Sequence, residues 1–466
     1  MDIIRLTPIL IFFYFVAGLC SPVLVRADEI KVLQRGDQSL SGFYQATASA
    51  QKSIDLATFV MEPCEAAPKF LLDAIVQKAK AGVKVRIVID SYTLKEPHKS
   101  GLPAWLASQS KNIEFRIFGA YLFGIDPPRS HSKIFVVDGA SAGAIQIIGG
   151  RNWSDEYFGI SSKLNYLDQD LLIRGQSATD AGKYFNELWQ NSSKVQIVGD
   201  GKAYGASCMT KNARDNAVAQ FVQTKSASIL SSRPNHSCHA DYENDNPRFM
   251  DSGCGAESGP DTDFLGTGVC YQNKRTSKMA YEFIKATRNK LLINNQYYLP
   301  FGRIRTILDH KRDYKKTIEV FSNATGDIEN HPNNNRWFTC WIQRSGYETF
   351  KGTQKVMLIT SEGALRDSWA LTPGRTKWRI HTKSMIRDDV NVFVSSWNMD
   401  PRSLHTNLES GVVINNCPSL AADLNAQYEQ LRLTAKVDKD CVPCKAQFVQ
   451  SNMRDGAFCG GPVTAY

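Results

Sequence analysis

The sequence predicts an α/β protein made of two related lobes, and three observations predict it. Short buried-strand runs alternate with helix-length stretches. That order appears in both halves of the 466-residue chain. One polar pattern, His-x-Lys-x-x-x-x-Asp, sits at a strand in each half, starting at His131 and again 250 positions later at His381.

In the first half, Ile54 to Phe59 reads as a short strand, Ala66 to Ala81 as a helix and Val83 to Ile89 as a buried strand. In the second half, Ser277 to Arg288 reads as a helix and Lys290 to Asn295 as a strand. Ile304 to Arg312 then has helical spacing, and Thr317 to Phe321 is again strand-like. Buried strands joined by helical crossovers predict layered α/β lobes with mixed, mostly parallel sheets. Gly199 to Val269 is rich in Ser, Asn, Asp, Gly and Cys and lacks a sustained apolar period, which predicts a linker or disulfide-tied excursion between lobes. The expected organisation is residues 1–27 as leader, 28–200 and 271–437 as the two lobes, 201–270 as the Cys-rich insertion and 438–466 as a Cys-rich extension.

Hydrophobic residues make up 42% of the chain and charged residues 22%, a globular composition that excludes disordered and fibrous classes. The net charge of +9 is ordinary for solubility and points only weakly to anionic lipid or nucleic acid. Arg5 followed by the apolar run Ile9 to Leu19 and by Val25-Arg26-Ala27 has the layout of a secretory signal peptide, with cleavage expected after Ala27. The run is shorter than the roughly 20 residues of a membrane-spanning helix, and Leu19 is too large for a lipoprotein signal at Cys20. Cleavage leaves ten of the 11 cysteines, an even set that predicts disulfides and a secreted or periplasmic location. Cys441-Val-Pro-Cys444 has zinc or redox spacing, but no matching second pair follows, so a structural bridge is expected.

The chemistry lies in the repeated pattern. His131 and Lys133, like His381 and Lys383, are two apart on a strand and so share a face. Each pattern is followed by a small-small-x-Asn turn, Gly149-Gly150-Arg151-Asn152 and Ser395-Ser396-Trp397-Asn398. One imidazole can attack phosphorus while the other protonates the leaving oxygen. Lys133, Lys383, Asn152 and Asn398 would stabilise charge on the phosphate. No metal or cofactor is required. Each histidine needs a carboxylate to hold its tautomer, and the candidates downstream of each pattern are Asp168 for the first and Glu409 for the second. Asp138 and Asp388 complete the motif, and the preferred role for them is structural, fixing the turn after the strand through backbone or lysine. A lone match would be a weak signal; two matches with the same following turn are not.

These two motifs closely resemble the mark of the phospholipase D superfamily. Gly149 to Gly159, Asn398 to Ser403 with Asn407 and Glu409, and Asn295 to Pro300 are similar to stretches of its bacterial cardiolipin synthase branch. The resemblance implies two α/β/α lobes related by a pseudo-twofold axis and packed face to face, with the site at their seam. It also implies that His131 is the nucleophile and His381 the acid and base; the residues alone leave that order open. Expected partners are a phospholipid and, peripherally, a membrane surface, with Tyr121 to Phe123 and Trp337-Phe338 as candidates to reach lipid. Two motifs in one chain predict a monomer. Ser395-Ser396 departs from the usual Gly-Ser. The leader, the cysteines and the insertion favour an exported phospholipase D, with cardiolipin synthesis the alternative. A superfamily nuclease is the third reading, and the absence of a basic run with interleaved aromatics speaks against it.

Overall fold

Two large sheets form because apolar runs such as Ile145–Gly149 and Ile134–Val137 are buried along their whole length, so both of their faces must be covered. The computed structural model describes residues 27–95, 99–119, 129–195, 199, 201–248, 274–298, 304, 307–308, 316–323, 354–359, 368–374, 376–434 and 436–437. The leader up to residue 26, Tyr121 to Phe123, Trp337-Phe338, residues 438–466 and the Cys441–Cys444 pair lie outside these described residues.

The first lobe contributes strands β1 (Asp28–Leu33), β2 (Ser53–Thr58), β3 (Lys84–Asp90), β4 (Ile113–Phe118), β5 (Ile134–Val137), β6 (Ile145–Gly149), β7 (Leu164–Leu167), β8 (Asp170–Arg174) and β9 (Ser193–Lys194). Its helices are α1 (Gly36–Ser49), α2 (Ala66–Lys80), α3 (Leu102–Gln109) and α4 (Gln176–Gln190). The connecting stretch holds α5 (Lys202–Cys208), α6 (Ala213–Ser231), β10 (His236–Cys238) and β11 (Ala240–Asn244). The second lobe holds α7 (Arg275–Lys285), β12 (Lys290–Asn295), β13 (Thr317–Asn323), β14 (Gln354–Ile359) and β15 (Lys377–Ile380). It continues with β16 (Lys383–Arg387), β17 (Asn391–Ser395), α8 (Pro401–His405), β18 (Ser410–Ile414), α9 (Pro418–Thr434) and β19 (Lys436–Val437).

The sheets run β10-β1-β8-β6-β5-β2-β3-β4-β9 and β11-β18-β17-β16-β12-β13-β14-β19, and β7 pairs separately with β15. The α/β class and the duplication agree with the sequence reading, but the strand directions do not. Among the described residues only β2-β3-β4 and β12-β13-β14 are parallel within the two large sheets; the other pairings described there are antiparallel. The reason is local. β5 turns straight into β6 and β16 into β17, and a short turn can only join antiparallel strands.

The two sheets face each other across an apolar seam where Ile30, Ile148 and Leu171 of the first lobe cluster with Phe321, Val392 and Val412 of the second. Helix α4 packs against the inner face of the first sheet with Ala181, Phe185 and Leu188, and α9 lies in the seam with Leu420, Leu424 and Tyr428. Helices α1, α2 and α3 cover the outer face of the first sheet.

The connecting stretch, expected as a linker or disulfide-tied excursion, is tied by disulfides and also carries regular structure that its composition does not reveal. Helix α6 packs on α1 and α2, β10 extends the edge of the first sheet beside β1, and β11 extends the edge of the second beside β18. The buried stripe of α6 is Asp215, Val218, Val222 and Ser226, and its polar ends conceal a helical period from a hydrophobicity reading. Asp215 is buried because Lys69 Nζ meets it at 2.7 Å. Two disulfides tie the stretch down, Cys64–Cys208 to the first lobe and Cys238–Cys417 to the start of α9.

Candidate active site

His131 and Lys133 both lie in the three residues that lead into β5, whereas His381 lies two residues ahead of β16 and Lys383 opens it, so the first pair is not on the strand as the sequence suggests. All four are buried, with exposures of 6, 5, 3 and 1%. Asp138 and Asp388 follow the strands with φ of 52° and 53°, a left-handed turn that a short polar side chain tolerates best. Asp138 accepts hydrogen bonds from the backbone N–H groups of Gln51, Lys52 and Ser53. Asp388 does the same for Arg288, Asn289 and Lys290. Both carboxylates thus tie turns at the far end of their strands. They stand apart from the reacting groups, so of the two roles open to motif aspartates, catalytic and structural, their contacts support the structural one.

The orienting carboxylates are where sequence order misleads. Asp168, downstream of the first motif, lies 2.6 Å from Nδ1 of His381 in the other lobe. Glu409, downstream of the second, lies 2.9 Å from Nδ1 of His131. The pairing expected from chain proximity is therefore exchanged. Backbone contacts across the seam produce the exchange. β7 runs parallel to β15, and Leu167 C=O accepts the His381 N–H at 2.8 Å, which carries Asp168 alongside that histidine. In the other half a bridge between Ser130 and Leu408, with Leu408 N–H donating to Arg129 C=O at 2.7 Å, carries Glu409 to His131.

Both carboxylates are fully buried. Glu409 also accepts from the hydroxyls of Ser396 and, at 2.7 Å, Ser403. Burial alone would push its carboxyl up, but His131, Lys133 and Ser396 together hold it below the usual range, so it is a stable anion. The second serine of Ser395-Ser396 thus supplies a hydrogen bond to the orienting carboxylate. At the equivalent Gly150 there is no room for one, since a Cβ would lie 2.6 Å from Asp168 Oδ1 and 2.9 Å from the His381 carbonyl oxygen. Burial pushes the Asp168 carboxyl up, against the pull of Lys383 and Arg151.

Burial lowers the His131 imidazole to about 4, with Glu409 pulling it upward and Lys133 further down. His381 is driven well below its ordinary value by burial and then by Lys383, Lys133 and His131. Each lobe's lysine therefore acts on the other lobe's histidine, as a single shared site requires. Burial brings Lys133 down to about 7 and Lys383 to about 8. Lys133 Nζ donates to the carbonyl oxygen of His131 at 2.8 Å. Lys383 Nζ donates to the His381 carbonyl oxygen and, at 3.2 Å, to Gln296 Oε1. Two neutral imidazoles, two lysines with weakened protons and two fixed carboxylates form a site prepared for an anion.

Asn152 is buried and donates through Nδ2 to the Tyr157 hydroxyl at 2.9 Å; that hydroxyl lies 3.5 Å from His381 Nε2. The ring of Tyr157 stands edge-on to His381 at 4.8 Å, and Phe59 stands against His131 at 5.1 Å. Asn398 is equally buried, and its backbone N–H donates to Ser403 Oγ at 3.1 Å. Sequence reasoning missed several supports. Asp90 at the end of β3 accepts the Ser130 N–H at 2.7 Å, and Asn323 at the end of β13 bonds both N–H and C=O of Ile380. Their signal was a polar residue at the buried end of a strand. Ser396, Ser403 and Tyr157 carried no signal beyond their nearness to the motif asparagines.

Comparison with known proteins places this chain in a family. The family described as "Cardiolipin synthase, PLD-like domain" matches twice, over residues 44–189 and 287–432. The chain is 24% identical to cardiolipin synthase C of Escherichia coli over 426 residues, 86% of this chain and 84% of that one. It is 23% identical to an uncharacterized protein of Helicobacter pylori over 391 residues, 80% of this chain and 73% of that one. Among solved structures, the phosphatidylserine synthase of Haemophilus influenzae shares the fold with a TM-score of 0.57 at 14% identity, covering 91% of this chain and 93% of that one. One family unit present twice, closed into a single site by exchanged carboxylates, makes this chain an enzyme of the phospholipase D superfamily, in its cardiolipin synthase-like branch.

Proposed function

We propose that the enzyme transfers a phosphatidyl group from a phospholipid to an alcohol acceptor, as a cardiolipin synthase does, through a phosphohistidine. The observation that carries this is the pair of histidines, each held through Nδ1 by a buried carboxylate of the opposite lobe. With Nδ1–H donating to carboxylate, the Nε2 lone pair of a neutral imidazole is free to act. His131, backed by the anionic Glu409, forms the bond to phosphorus as the bond to the headgroup oxygen breaks. The negative charge of the bound diester favours the imidazolium form of His381, which keeps Nδ1–H on Asp168, gives its Nε2 proton to that oxygen and is left neutral. In the second half His381 takes a proton from the acceptor hydroxyl, whose oxygen displaces His131 from phosphorus. Lys133, Lys383, Asn152 and Asn398 hold the non-bridging oxygens.

The cardiolipin synthase relatives favour an alcohol acceptor over water. Hydrolysis by an exported phospholipase D is the second reading, favoured by the two disulfides, which suit an oxidising compartment. Export itself is part of the proposal and rests on those disulfides and the N-terminal apolar run. A monomer in peripheral contact with the membrane is the working state.

The test is incubation of purified protein with vesicles of phosphatidylglycerol and phosphatidylethanolamine, with and without a primary alcohol, identifying every product by mass spectrometry. Cardiolipin, or a phosphatidyl-alcohol when the alcohol is present, is expected. Phosphatidate as the sole product would replace transfer by hydrolysis, and no headgroup release would remove both readings. His131→Asn and His381→Asn should each abolish turnover in folded protein.

A further inference from the structure

The connecting stretch between the lobes reaches the active site through one buried ion pair. Asp245 follows β11 and Lys274 precedes α7; their exposures are 0 and 1%. Lys274 Nζ pairs with Asp245 Oδ2 and also donates to the Asn407 carbonyl oxygen. Asp245 Oδ2 accepts the backbone N–H of Glu409 at 3.0 Å, and Asp245 N–H donates back to the Glu409 carbonyl oxygen at 3.0 Å. Thr276 completes the clamp: its N–H donates to Asp245 Oδ1 at 2.9 Å and its hydroxyl to the Glu409 carbonyl oxygen at 3.0 Å. Both backbone polar groups of Glu409 are therefore held by the connection, while its side chain holds His131.

Three features set this pair apart from ordinary core packing. Asp245 and Lys274 lie outside both segments that match the family, 44–189 and 287–432. The other half-site is built differently. There, Arg151, itself within the first matched segment, donates to the Asp168 carbonyl oxygen at 2.8 Å and is steadied by Asp170 at 2.8 Å. Finally, burying an ion pair costs more desolvation than apolar packing of the same volume would, so a pair that fixes a functional carboxylate has a reason that packing does not supply.

We propose that Asp245 and Lys274 are positioning residues for His131, acting through the backbone of Glu409, so that the connection between the lobes sets the geometry of one of the two catalytic histidines. The inference rests on the two-histidine reading above. Asp245 holds the main chain from which the Glu409 carboxylate projects. Loss of that hold lets the carboxylate shift relative to His131 Nδ1, and small displacements of a reacting group are costly in rate.

The experiment compares wild type, Asp245→Asn, Lys274→Met, the double variant and a control, Asp215→Asn, in full-length protein. The control disturbs another buried ion pair of the connection, Lys69–Asp215, which bonds to neither histidine nor to their carboxylates. Each protein is assayed on phosphatidylglycerol vesicles and on bis(p-nitrophenyl) phosphate, a diester without lipid. The downfield proton resonance of His131 Nδ1–H, assigned by its loss in His131→Asn, is recorded alongside. Asp245→Asn is expected to lower kcat at least tenfold on both substrates with KM within twofold, and to shift or broaden that resonance. The double variant, which carries no unpaired buried charge, should recover thermal stability relative to Lys274→Met without recovering kcat. In Asp215→Asn the resonance should stay in place and kcat per folded molecule should stay near wild type. An unmoved resonance in Asp245→Asn, or a double variant as active as wild type, overturns the inference. Wild type that turns over neither substrate would instead overturn the functional reading itself.

Discussion

A histidine in this site is defined by what lies across the seam from it. His131 receives Glu409 and His381 receives Asp168, so neither imidazole has the correct tautomer until the two lobes meet. The two carboxylates differ in support. Glu409 has two serine hydroxyls besides His131, whereas Asp168 has the Gln169 N–H besides His381. Replacing Glu409 by Gln keeps the shape and removes the charge that, in the proposed mechanism, would stabilise His131 bonded to phosphorus. We expect kcat to fall about 100-fold or more with little change in KM, measured as initial rates on vesicles. The lowered lysines give a second prediction. At pH 8 Lys133, with its proton lost near 7, is mostly neutral and Lys383 about half charged. A bound dianion raises both, so binding takes protons up. Titration calorimetry with tungstate at pH 8 should give different apparent enthalpies in Tris and HEPES, with net proton uptake. Equal enthalpies would mean that the ammonium groups are already charged in the empty site.

At the scale of elements, strands β5 and β16 are anchored at one end by the motif aspartates and open at the other into the site. Asp138 gathers three backbone N–H groups in a left-handed turn that alanine adopts poorly. Asp138→Ala should therefore destabilise the protein by about 2–4 kcal/mol, from a lost charged acceptor and the strained turn. The catalytic rate per folded molecule should stay within a few fold; chemical denaturation and active-site titration separate the two. Helix α6 begins with a capping box in which Asn212 Oδ1 accepts from Arg214 N–H at 2.9 Å and Asp215 N–H at 3.0 Å. Asn212→Ala should cost about 1 kcal/mol, read as a lower midpoint in urea. These short devices were open to sequence reading in principle. The turn role of Asp138 followed from its position after a strand, whereas α6 was hidden because Asp215 and Ser226 occupy its buried stripe.

Over the whole molecule, the lobes are not independent parts. The seam buries side chains of both sheets in one cluster, β10 and β11 extend one sheet each, and Cys238–Cys417 links the connection to α9. Separating the lobes would strip each histidine of its carboxylate. Guanidinium unfolding followed by activity and by near-ultraviolet circular dichroism should accordingly show coincident transitions. Activity lost well before the tertiary signal would mean that the lobes part before they unfold.

Sequence alone determined the superfamily motifs, the duplication and the α/β class, because residue types at fixed spacing and the periods of strands and helices are local properties. His131, Lys133, Asn152 and their counterparts were legible for that reason. Tertiary structure decided the antiparallel majority of the sheets, the integration of the connecting stretch and the partner of each histidine. Asp168 is 37 positions from His131 and 213 from His381, yet it bonds to the distant one. Chain separation does not measure distance across a packed seam, and only the pairing of β7 with β15 and of Ser130 with Leu408 brings each carboxylate to its imidazole.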